Sequence, residues 1–445
     1  WNRYVLCYYI STMAKVVEIS NEKEVPVENK KNTTVVKKTT RGEETTVESE
    51  VKKEETVVNK KKEILKKLIF PTIAILTLVG IALFYYFAIY RLRPVHPSKV
   101  VLFKDNYISS KDRMSPFKFR FPLLSEPKEP KTEVSPLNGL LFTKKEMDVM
   151  KRRRPVAVMI NNHSAARPQS GLTSTDIVYE TNAEGGITRY LGIFWSSAPA
   201  KVGPVRSLRQ YYLEWASEYD PLLIRDGCAE STDPKANACG NVYAYGIKDL
   251  STIGAWRWND GRRFSPHNEY NSITNAWDYA KKKGWDAFPS TIKSFEFKND
   301  ADVKERGTKT VVKTVFHMRL NNRGAYDAIW TYDPQTNSYF RKIGGAIDVD
   351  QETGTQVSAK NVLIQKVKMY SSSDGTARVV IPTEGEGEAT ILQDGKIING
   401  KWKKTSRTER TMFYDSTGKP IKFNRGRIWI AAIPTSDGKF DIIEQ

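Results

Sequence analysis

The residues best suited to chemistry are concentrated between Arg154 and Arg209, where short polar turns interrupt apolar, strand-like runs. These turns carry asparagine, histidine, arginine, glutamate and serine, namely Asn161, Asn162, His163, Arg167, Glu180, Glu184, Arg189, Arg206, Ser207 and Arg209. Polar groups held at strand ends by an apolar scaffold are a common way for α/β proteins to build a ligand site. The stretch therefore predicts a binding site, but it does not identify a reaction.

Three residues near the end of this stretch, Arg206, Ser207 and Arg209, favour an anionic ligand. We expect a helix over Ser207–Tyr219, because Ser207 and Gln210 have the spacing of a capping box. The free N–H groups at a helix N-terminus attract anions, and arginine adds bidentate recognition of phosphate or carboxylate. We therefore expect the anion near the start of this helix.

The arginines of the stretch leave two interpretations open. Arg167 and Arg189 could converge on the same anion from two earlier turns. Alternatively, the arginines form internal ion pairs with the nearby carboxylates, Glu180, Glu184 and Asp226. The sequence does not decide between an anion site and structural pairing.

Two of the four histidines lie in polar turns: His163 follows Asn161 and Asn162, and His267 lies in SPHNEY. Such imidazoles could act as acids, bases or ligands, or serve only as hydrogen-bonding fixtures of their turns. No motif has the spacing of a metal site, a phosphate-binding loop, a serine nucleophile elbow or a dinucleotide fingerprint. We therefore expect no metal and no cofactor.

Cys228 and Cys239 are the two cysteines of the part expected to fold. In an oxidising compartment a bridge between them would close a short loop and contribute on the order of 3 kcal/mol. Two free thiols are the alternative, because sequence spacing alone does not bring the cysteines together.

The compartment is indicated by Leu68–Tyr90, a run of 23 residues without a charged side chain. A helix of that length rises about 34 Å, enough to cross a bilayer core. More Lys and Arg residues precede the run than follow it, so the positive-inside rule predicts a single-pass anchor with its N-terminus in the cytoplasm. We expect a disordered cytoplasmic tail over 1–67, of which 1–12 could be untranslated, and an extracytoplasmic linker over 91–134.

The charge of the chain narrows the class of partner. The formal net charge is +19, and residues 135–445 contain 45 Lys and Arg against 35 Asp and Glu. Because this part is expected outside the cytoplasm, nucleic acid is not an expected partner. An anionic cell-wall polymer or a lipid headgroup is favoured instead.

The pattern of elements predicts an α+β protein. Residues 135–309 combine strand-like runs with helical segments, including a helix over Thr274–Lys283 that should end at Gly284. Residues 310–445 contain strand-like runs separated by Asp-Gly and Thr-Gly turns, which are typical of hairpins. We expect a mixed α/β domain over 135–309 and a β-rich domain over 310–445, on a single transmembrane helix.

Several longer segments resemble one known family, the YerB-like exported bacterial proteins of unknown function. The N-terminal segments are RRPVAVMINNHSAARPQSGL, TDIVYETNAEGGITRYLGIF, GPVRSLRQYY and SPHNEYNS, and the C-terminal ones are NVLIQ, ILQDGKIINGKWKK and FYDSTGKPIKFNRGRIWIAAIP. The resemblance implies a bacterial envelope protein with an α/β domain followed by a β-rich one. Members are often lipoproteins, whereas this chain has no lipobox cysteine after its apolar run. The family supplies no catalytic residues.

Three functions remain as hypotheses. The first is a bacterial membrane-anchored extracytoplasmic protein that binds an anionic envelope component. The second is an enzyme acting on a cell-wall polymer or its lipid-linked precursor, as a phosphotransferase or hydrolase. The third is a structural or interaction module of the envelope.

Overall fold

A computed structural model describes residues 76–83, 129–308, 310–320 and 322–444 of the chain. The chain divides into two compact units, Trp1–Arg93 and Pro94–Gln445. In the first unit, residues 76–83 are helical and exposed. No helix in the described ranges is long and apolar enough to cross a membrane. Most of the predicted span, the tail over 1–67 and most of the linker over 91–134 lie outside the described residues, so the anchor stays a prediction.

The second unit is built mostly of strands with few helices. Its α-helices are α1 Lys144–Met150, α2 Gln210–Ala216, α3 Ala238–Ala244 and α4 Ile273–Lys283. Its strands are β1 Glu133–Val134, β2 Leu141–Phe142, β3 Val156–Asn161, β4 Ile177–Asn182, β5 Thr188–Phe194, β6 Leu222–Ile224, β7 Lys248–Ser251, β8 Trp256–Arg257, β9 Glu269–Tyr270, β10 Glu296–Lys298, β11 Val311–Val315, β12 Ala328–Asp333, β13 Ser338–Ile343, β14 Ala346–Ile347, β15 Ser358–Ala359, β16 Asn361–Val367, β17 Tyr370–Ser371, β18 Val379–Val380, β19 Gly385–Gln393, β20 Lys396–Lys404, β21 Met412–Asp415, β22 Lys422–Asn424, β23 Ile428–Pro434 and β24 Lys439–Glu444. Short 3₁₀ turns occur at Ser164–Ala166, Leu172–Ser174, Glu184–Gly186, Ser217–Tyr219, Val303–Glu305 and Asn322–Gly324.

Local sequence signals explain where α4 begins and ends. The Ser272 hydroxyl accepts a hydrogen bond from the Asn275 N–H, which caps the first turn. Gly284 closes the helix with φ of 67°, a left-handed conformation that favours glycine. The predicted helix over Thr274–Lys283 and its end at Gly284 are therefore confirmed.

The central feature is a ten-stranded mixed sheet with the order β21-β20-β19-β16-β23-β4-β5-β3-β6-β7. Five of its strands come from the N-terminal half and five from the C-terminal half, which meet where β23 pairs in parallel with β4. A second sheet has six strands, β11 to β15 and β24. The regions over 135–309 and 310–445 therefore share one sheet.

Both faces of the sheet are buried over its six central strands, β16, β23, β4, β5, β3 and β6, which explains the continuous apolar runs of these strands. Along β3, Ala157 and Met159 face one apolar cluster with the aromatic residues of α2, whereas Val156, Val158 and Ile160 face another. The second cluster also contains Val312 and Trp330 of the six-stranded sheet. The two sheets therefore pack around a common core.

Strand direction places several polar turns at one edge of the ten-stranded sheet. β3 is parallel to β6, and both β3 and β4 are antiparallel to β5, so β3, β4 and β6 run the same way. Their carboxyl ends, and the start of β5, lie at the same edge. In open α/β sheets, ligands bind outside this edge.

Candidate functional site

The turn after β3 fixes the orientation of an imidazole from a distant part of the chain. The buried Asn161 side chain accepts the backbone N–H of His163 through Oδ1 at 2.9 Å. This identifies its Nδ2 as the amide nitrogen that faces His267 Nδ1 at 3.0 Å. Because an amide nitrogen only donates, His267 Nδ1 is the acceptor, and the ring proton of neutral His267 lies on Nε2.

The second imidazole, His163, is fixed in the same tautomer by its own turn. The backbone N–H of Ala165 donates to His163 Nδ1 at 3.1 Å, so the ring proton of neutral His163 is also on Nε2. The rings of His163 and His267 stack with 4.4 Å between centroids and 20° between planes. Both are half-buried. The sheet edge therefore carries two adjacent imidazoles that each have an Nε2–H donor.

Arg206 supplies a cation whose charge acts on both imidazoles. Its backbone N–H is bonded to the Met159 carbonyl of β3 at 2.9 Å, which holds the residue at the sheet edge. Its half-buried guanidinium makes no hydrogen bond or ion pair within the described part of the chain, although the charge of Asp226 acts on it. Burial and the charges of Arg209 and Arg257 lower the pKa of Arg206, and Asp226 opposes them.

The electrostatics keep the imidazoles neutral. Burial lowers the pKa of His163, with further lowering by the charges of Arg167 and Arg206. Burial also lowers the pKa of His267, followed by the effects of His163 and Arg206. At neutral pH the imidazoles therefore offer two uncharged N–H donors in addition to the Arg206 guanidinium.

Two carboxyl groups form the other side of the cluster. Arg257 bonds to Glu269 at 2.7 Å and lies 3.4 Å from Asp226. Burial raises the pKa of Glu269, and the nearby charge and hydrogen bond of Asp226 raise it further, against the opposite effect of Arg257. Sequence reasoning missed Glu269 and Arg257, although Glu269 lies two residues after His267. Hereafter, the edge cluster means His163, His267, Arg206, Asp226, Arg257 and Glu269.

Arg209 is committed to an ion pair. Its guanidinium contacts both carboxylate oxygens of Glu184, with Nε–O distances of 2.8 Å and an Nη2–O distance of 2.6 Å. Burial of Glu184 would raise its pKa, but the bonds and charge of Arg209 lower it to about 2. Arg209 therefore forms an internal ion pair, which is the second of the two interpretations that the sequence left open.

Arg189 and Arg167 also have protein partners. Arg189 Nη1 donates to the Ser207 carbonyl at 2.6 Å, and burial followed by the charge of Arg209 lowers its pKa to about 10. Arg167 donates to the side chain and the carbonyl of Asn162 at 3.1 and 3.0 Å, and its guanidinium lies over the Tyr326 ring at 5.1 Å. Of the four predicted arginines, Arg206 is the one that the described residues leave without a hydrogen bond or ion pair.

The expected helix start at Ser207 is wrong. The helix begins at Gln210, with Arg209 as N-cap and no side-chain capping bond. In a capping box the glutamine side-chain oxygen accepts a backbone N–H, but Gln210 Oε1 accepts from Asn241 Nδ2 at 3.0 Å. Residues 206–208 instead run beside the segment after β6, where Leu208 N–H donates to the Gly227 carbonyl at 3.0 Å. Arg206 is therefore positioned by strand-like pairing.

Two other predicted residues are structural. Glu180 has no exposed side-chain surface and pairs with the equally buried Arg341 of the six-stranded sheet at 2.7 Å. It also accepts the Trp429 indole N–H at 3.0 Å. Asn162 donates to the Thr188 hydroxyl at 2.7 Å. These contacts join strands and sheets within the interior.

Cys228 and Cys239 form a disulfide, with 5.3 Å between their Cα atoms. The bridge adjoins the edge cluster through the backbone, because Ala229 N–H donates to the Leu208 carbonyl at 3.0 Å. Arg225 Nη1 lies 3.3 Å from the Cys228 sulfur. The disulfide thus closes the segment that pairs with residues 206–208.

The donor set of the edge cluster does not suit a metal ion. No group of three metal-binding side chains is found among the residues that the structure describes. Moreover, both imidazoles carry their proton on the nitrogen that is left unbonded, and a protonated nitrogen cannot ligate a metal. The chemistry available to the cluster is hydrogen-bond donation and charge.

These features define a class of protein with two sheets and an arginine–histidine cluster at the carboxyl ends of the strands of its central sheet. Residues 141–286 match the N-terminal domain of the family described as "Protein of unknown function (DUF3048)", and residues 316–430 match its C-terminal domain. The chain belongs to this YerB-like family, as the resemblance predicted.

Two comparisons involve the same Bacillus subtilis protein. The chain is 31% identical over 308 residues to the protein of strain 168 described as "Putative lipoprotein YerB", which covers 68% of this chain and 87% of that protein. The crystal structure of YerB from Bacillus subtilis is 29% identical and superposes with a TM-score of 0.59, covering 70% of this chain and 100% of that one. The fold is therefore shared with a solved relative.

Proposed function

We propose that this chain is a membrane-anchored extracytoplasmic protein whose edge cluster binds an anionic group of the bacterial cell envelope. One observation carries the proposal: the Arg206 guanidinium has no hydrogen bond or ion pair to a described residue, and its charge acts on two imidazoles that can only donate from Nε2. A half-buried guanidinium with unused donors is suited to a phosphate or carboxylate.

Anion selectivity is supported by the way the two imidazoles are held. Their Nδ1 acceptors are occupied by Asn161 and the Ala165 N–H, so the unbonded ring atoms are N–H groups. A cation would find no acceptor on these rings, whereas an oxyanion can accept from both. The compartment is supported by the excess of basic residues and by the lipoprotein description of the Bacillus subtilis relative.

The tautomers favour binding over acid–base catalysis by these histidines. A general base must accept a proton on a free nitrogen, and neither His163 nor His267 has one. A second function is hydrolysis or phosphotransfer at the same site. Only the carboxyl groups of Glu269 and Asp226 favour it, because the raised pKa of Glu269 suits a proton donor. Glu269→Gln separates the two: it would abolish turnover in an enzyme and leave anion binding in a binding protein.

The test is a calorimetric titration of the full chain in detergent with inorganic phosphate and with poly(glycerol phosphate). We expect saturable binding that Arg206→Ala weakens by about tenfold or more, since a charge-assisted pair is lost. The control is Arg319→Ala, which removes the same charge from a side chain that is 76% exposed and 3.3 Å from Asp437. Equal affinities for the two variants would contradict the proposal.

A further inference from the structure

A cavity lies next to the disulfide and is lined by none of the edge-cluster residues. It is an open cleft of about 630 Å³, within the range of ligand pockets. Its lining residues are Glu230, Ser231, Thr232, Asn237, Cys239, Gly240, Tyr243, Asp374 and Thr376. The first seven lie in the part matched by the N-terminal family domain and the last two in the part matched by the C-terminal one. The cleft therefore exists only when the two parts are assembled.

The walls of the cleft are held together before any ligand binds. The Ser231 hydroxyl donates to Asp374 across the two parts. Beside it, Asp233 accepts the backbone N–H of Ser373 at 2.9 Å and its hydroxyl at 3.0 Å. On the other side, the disulfide fixes Cys239 to Cys228. A cleft fixed in this way loses little entropy when it binds a ligand.

The chemistry of the lining excludes an anion and favours a ligand rich in donors. The lining contains two carboxylates and no lysine or arginine. Asp374 is held ionised, because hydrogen bonds from the Ser231, Ser372 and Thr376 hydroxyls lower its pKa. With the Thr376 backbone N–H, these bonds fill its acceptor positions, so Asp374 fixes the wall of the cleft. The exposed Glu230 makes no hydrogen bond or ion pair with the described residues. Hydroxyl and ammonium groups are the complementary donors.

One aromatic ring gives the cleft an apolar platform. Tyr243 of α3 is 79% exposed, the largest exposed fraction among the big hydrophobic side chains of the described residues. An aromatic face flanked by hydrogen-bonding groups matches a sugar ring, which presents C–H groups on one face and hydroxyls around its rim.

We propose that this cleft is a glycan-binding site in which Tyr243 stacks on a pyranose ring while Glu230 accepts hydrogen bonds from its hydroxyl groups. The shared chemistry is that of a hexose chain with free hydroxyls. Such a chain can consist of neutral N-acetylated amino sugars or of cationic deacetylated ones. Both kinds of sugar are compatible with a cleft that contains carboxylates. The site is separate from the edge cluster and does not depend on anion binding there.

The test is a titration of the full chain with two probes, the β-1,4-linked tetramers of N-acetylglucosamine and of glucosamine, followed by saturation-transfer NMR. We expect at least one tetramer to bind saturably, and Tyr243→Ala to weaken that binding about tenfold or more, because the stacking face is lost. Tyr243→Phe keeps the ring and should retain binding. A preference for the glucosamine tetramer that Glu230→Gln removes would identify the cationic source, whereas equal or better binding of the acetylated tetramer would identify the neutral one.

The matched control is Phe264→Ala, which removes an exposed ring elsewhere, 61% exposed. Phe264→Ala and Arg206→Ala should both leave glycan affinity unchanged. The proposal is overturned if neither tetramer binds, or if a folded Tyr243→Ala protein binds as tightly as the unaltered chain. Because Arg206→Ala acts only on anion binding, failure of this proposal and failure of the anion site are distinguishable.

Discussion

The imidazole rings of His163 and His267, 104 positions apart in the chain, stack at 4.4 Å, and each has its Nδ1 occupied by an N–H donor. A charged imidazole needs a proton on both nitrogens, so protonating either ring breaks the bond that orients it. Protonating one ring would also add a cation within the field of Arg206, and protonating both would stack two cationic rings. The pair is therefore built to stay neutral and to donate.

The tautomer of His267 depends on Asn161, so a substitution at Asn161 should reverse the tautomer. In an Asn161→Asp variant, a carboxylate oxygen would face His267 Nδ1, so we expect the ring proton to move to Nδ1 and the pKa of His267 to rise. Long-range ¹⁵N–¹H NMR spectra measure both quantities. An Nδ1–H tautomer already present in the unaltered chain would contradict the assignment.

The lowered pKa values predict a loss of stability in mild acid. The ordinary histidine pKa is 6.5, and the pKa values of both histidines in the folded chain lie below it. Between the folded-state pKa and 6.5, the unfolded chain therefore binds more protons than the folded chain. Stability is therefore fully present above about pH 6.5 and falls as pH is lowered through the folded pKa values. Thermal unfolding at a series of pH values measures this.

The double variant His163→Gln, His267→Gln is the control for this pH dependence. It removes both titrating rings and should flatten the loss between about pH 7 and pH 5. Glu269, with its raised pKa, acts in the opposite direction but is present in both proteins. An unchanged pH profile in the double variant would show that other groups cause the loss.

Local features of the fold could be predicted from the sequence, because they depend on neighbouring residues. The capped α4 and its end at Gly284 are examples. The bond from His163 N–H to Asn161 is another feature of this kind, an Asx turn that the Asn-x-His spacing would have suggested. By contrast, the pairing of β23 with β4 joins segments about 250 positions apart and has no local signal.

The partner of each charged group could not be predicted from the sequence either. Arg209 could have met any of three carboxylates and takes Glu184, whereas Glu180 pairs with Arg341 from the other half of the chain. These choices depend on which strands become neighbours. The helix expected at Ser207 failed for the same reason, since strand-like pairing of Leu208 with Gly227 outweighs a capping box.

Arg341 should be a major contributor to stability. Its guanidinium is fully buried and pairs with Glu180 and Asp348, so Arg341→Met leaves two buried carboxylates without their cation. We expect the free energy of unfolding to fall by about 3–5 kcal/mol, measured by urea denaturation. Lys439→Ala breaks a half-exposed pair with Asp441 and should cost about 1 kcal/mol or less. Similar losses for both variants would contradict the assignment.

The disulfide can be tested by counting thiols. Of the three cysteines, we expect alkylation of the denatured chain to label Cys7 alone without reductant, and all three after reduction. The variant Cys228→Ser, Cys239→Ser should lose about 2–4 kcal/mol of stability. It should also bind phosphate more weakly, because the segment that positions Arg206 is no longer closed. Cys7→Ser is the control, and three labelled cysteines without reductant would contradict the bridge.

The measurement that tests the anion site most directly is an NMR titration of the histidine side chains with inorganic phosphate at about pH 7.5, above the ordinary histidine pKa. We expect the Nε2–H resonances of His163 and His267 to move downfield together and saturably, while both Nδ1 atoms remain unprotonated. In Arg206→Ala the shifts should require much higher phosphate concentrations. Resonances that do not move, or that move identically in Arg206→Ala, would contradict an anion site formed by Arg206 and this imidazole pair.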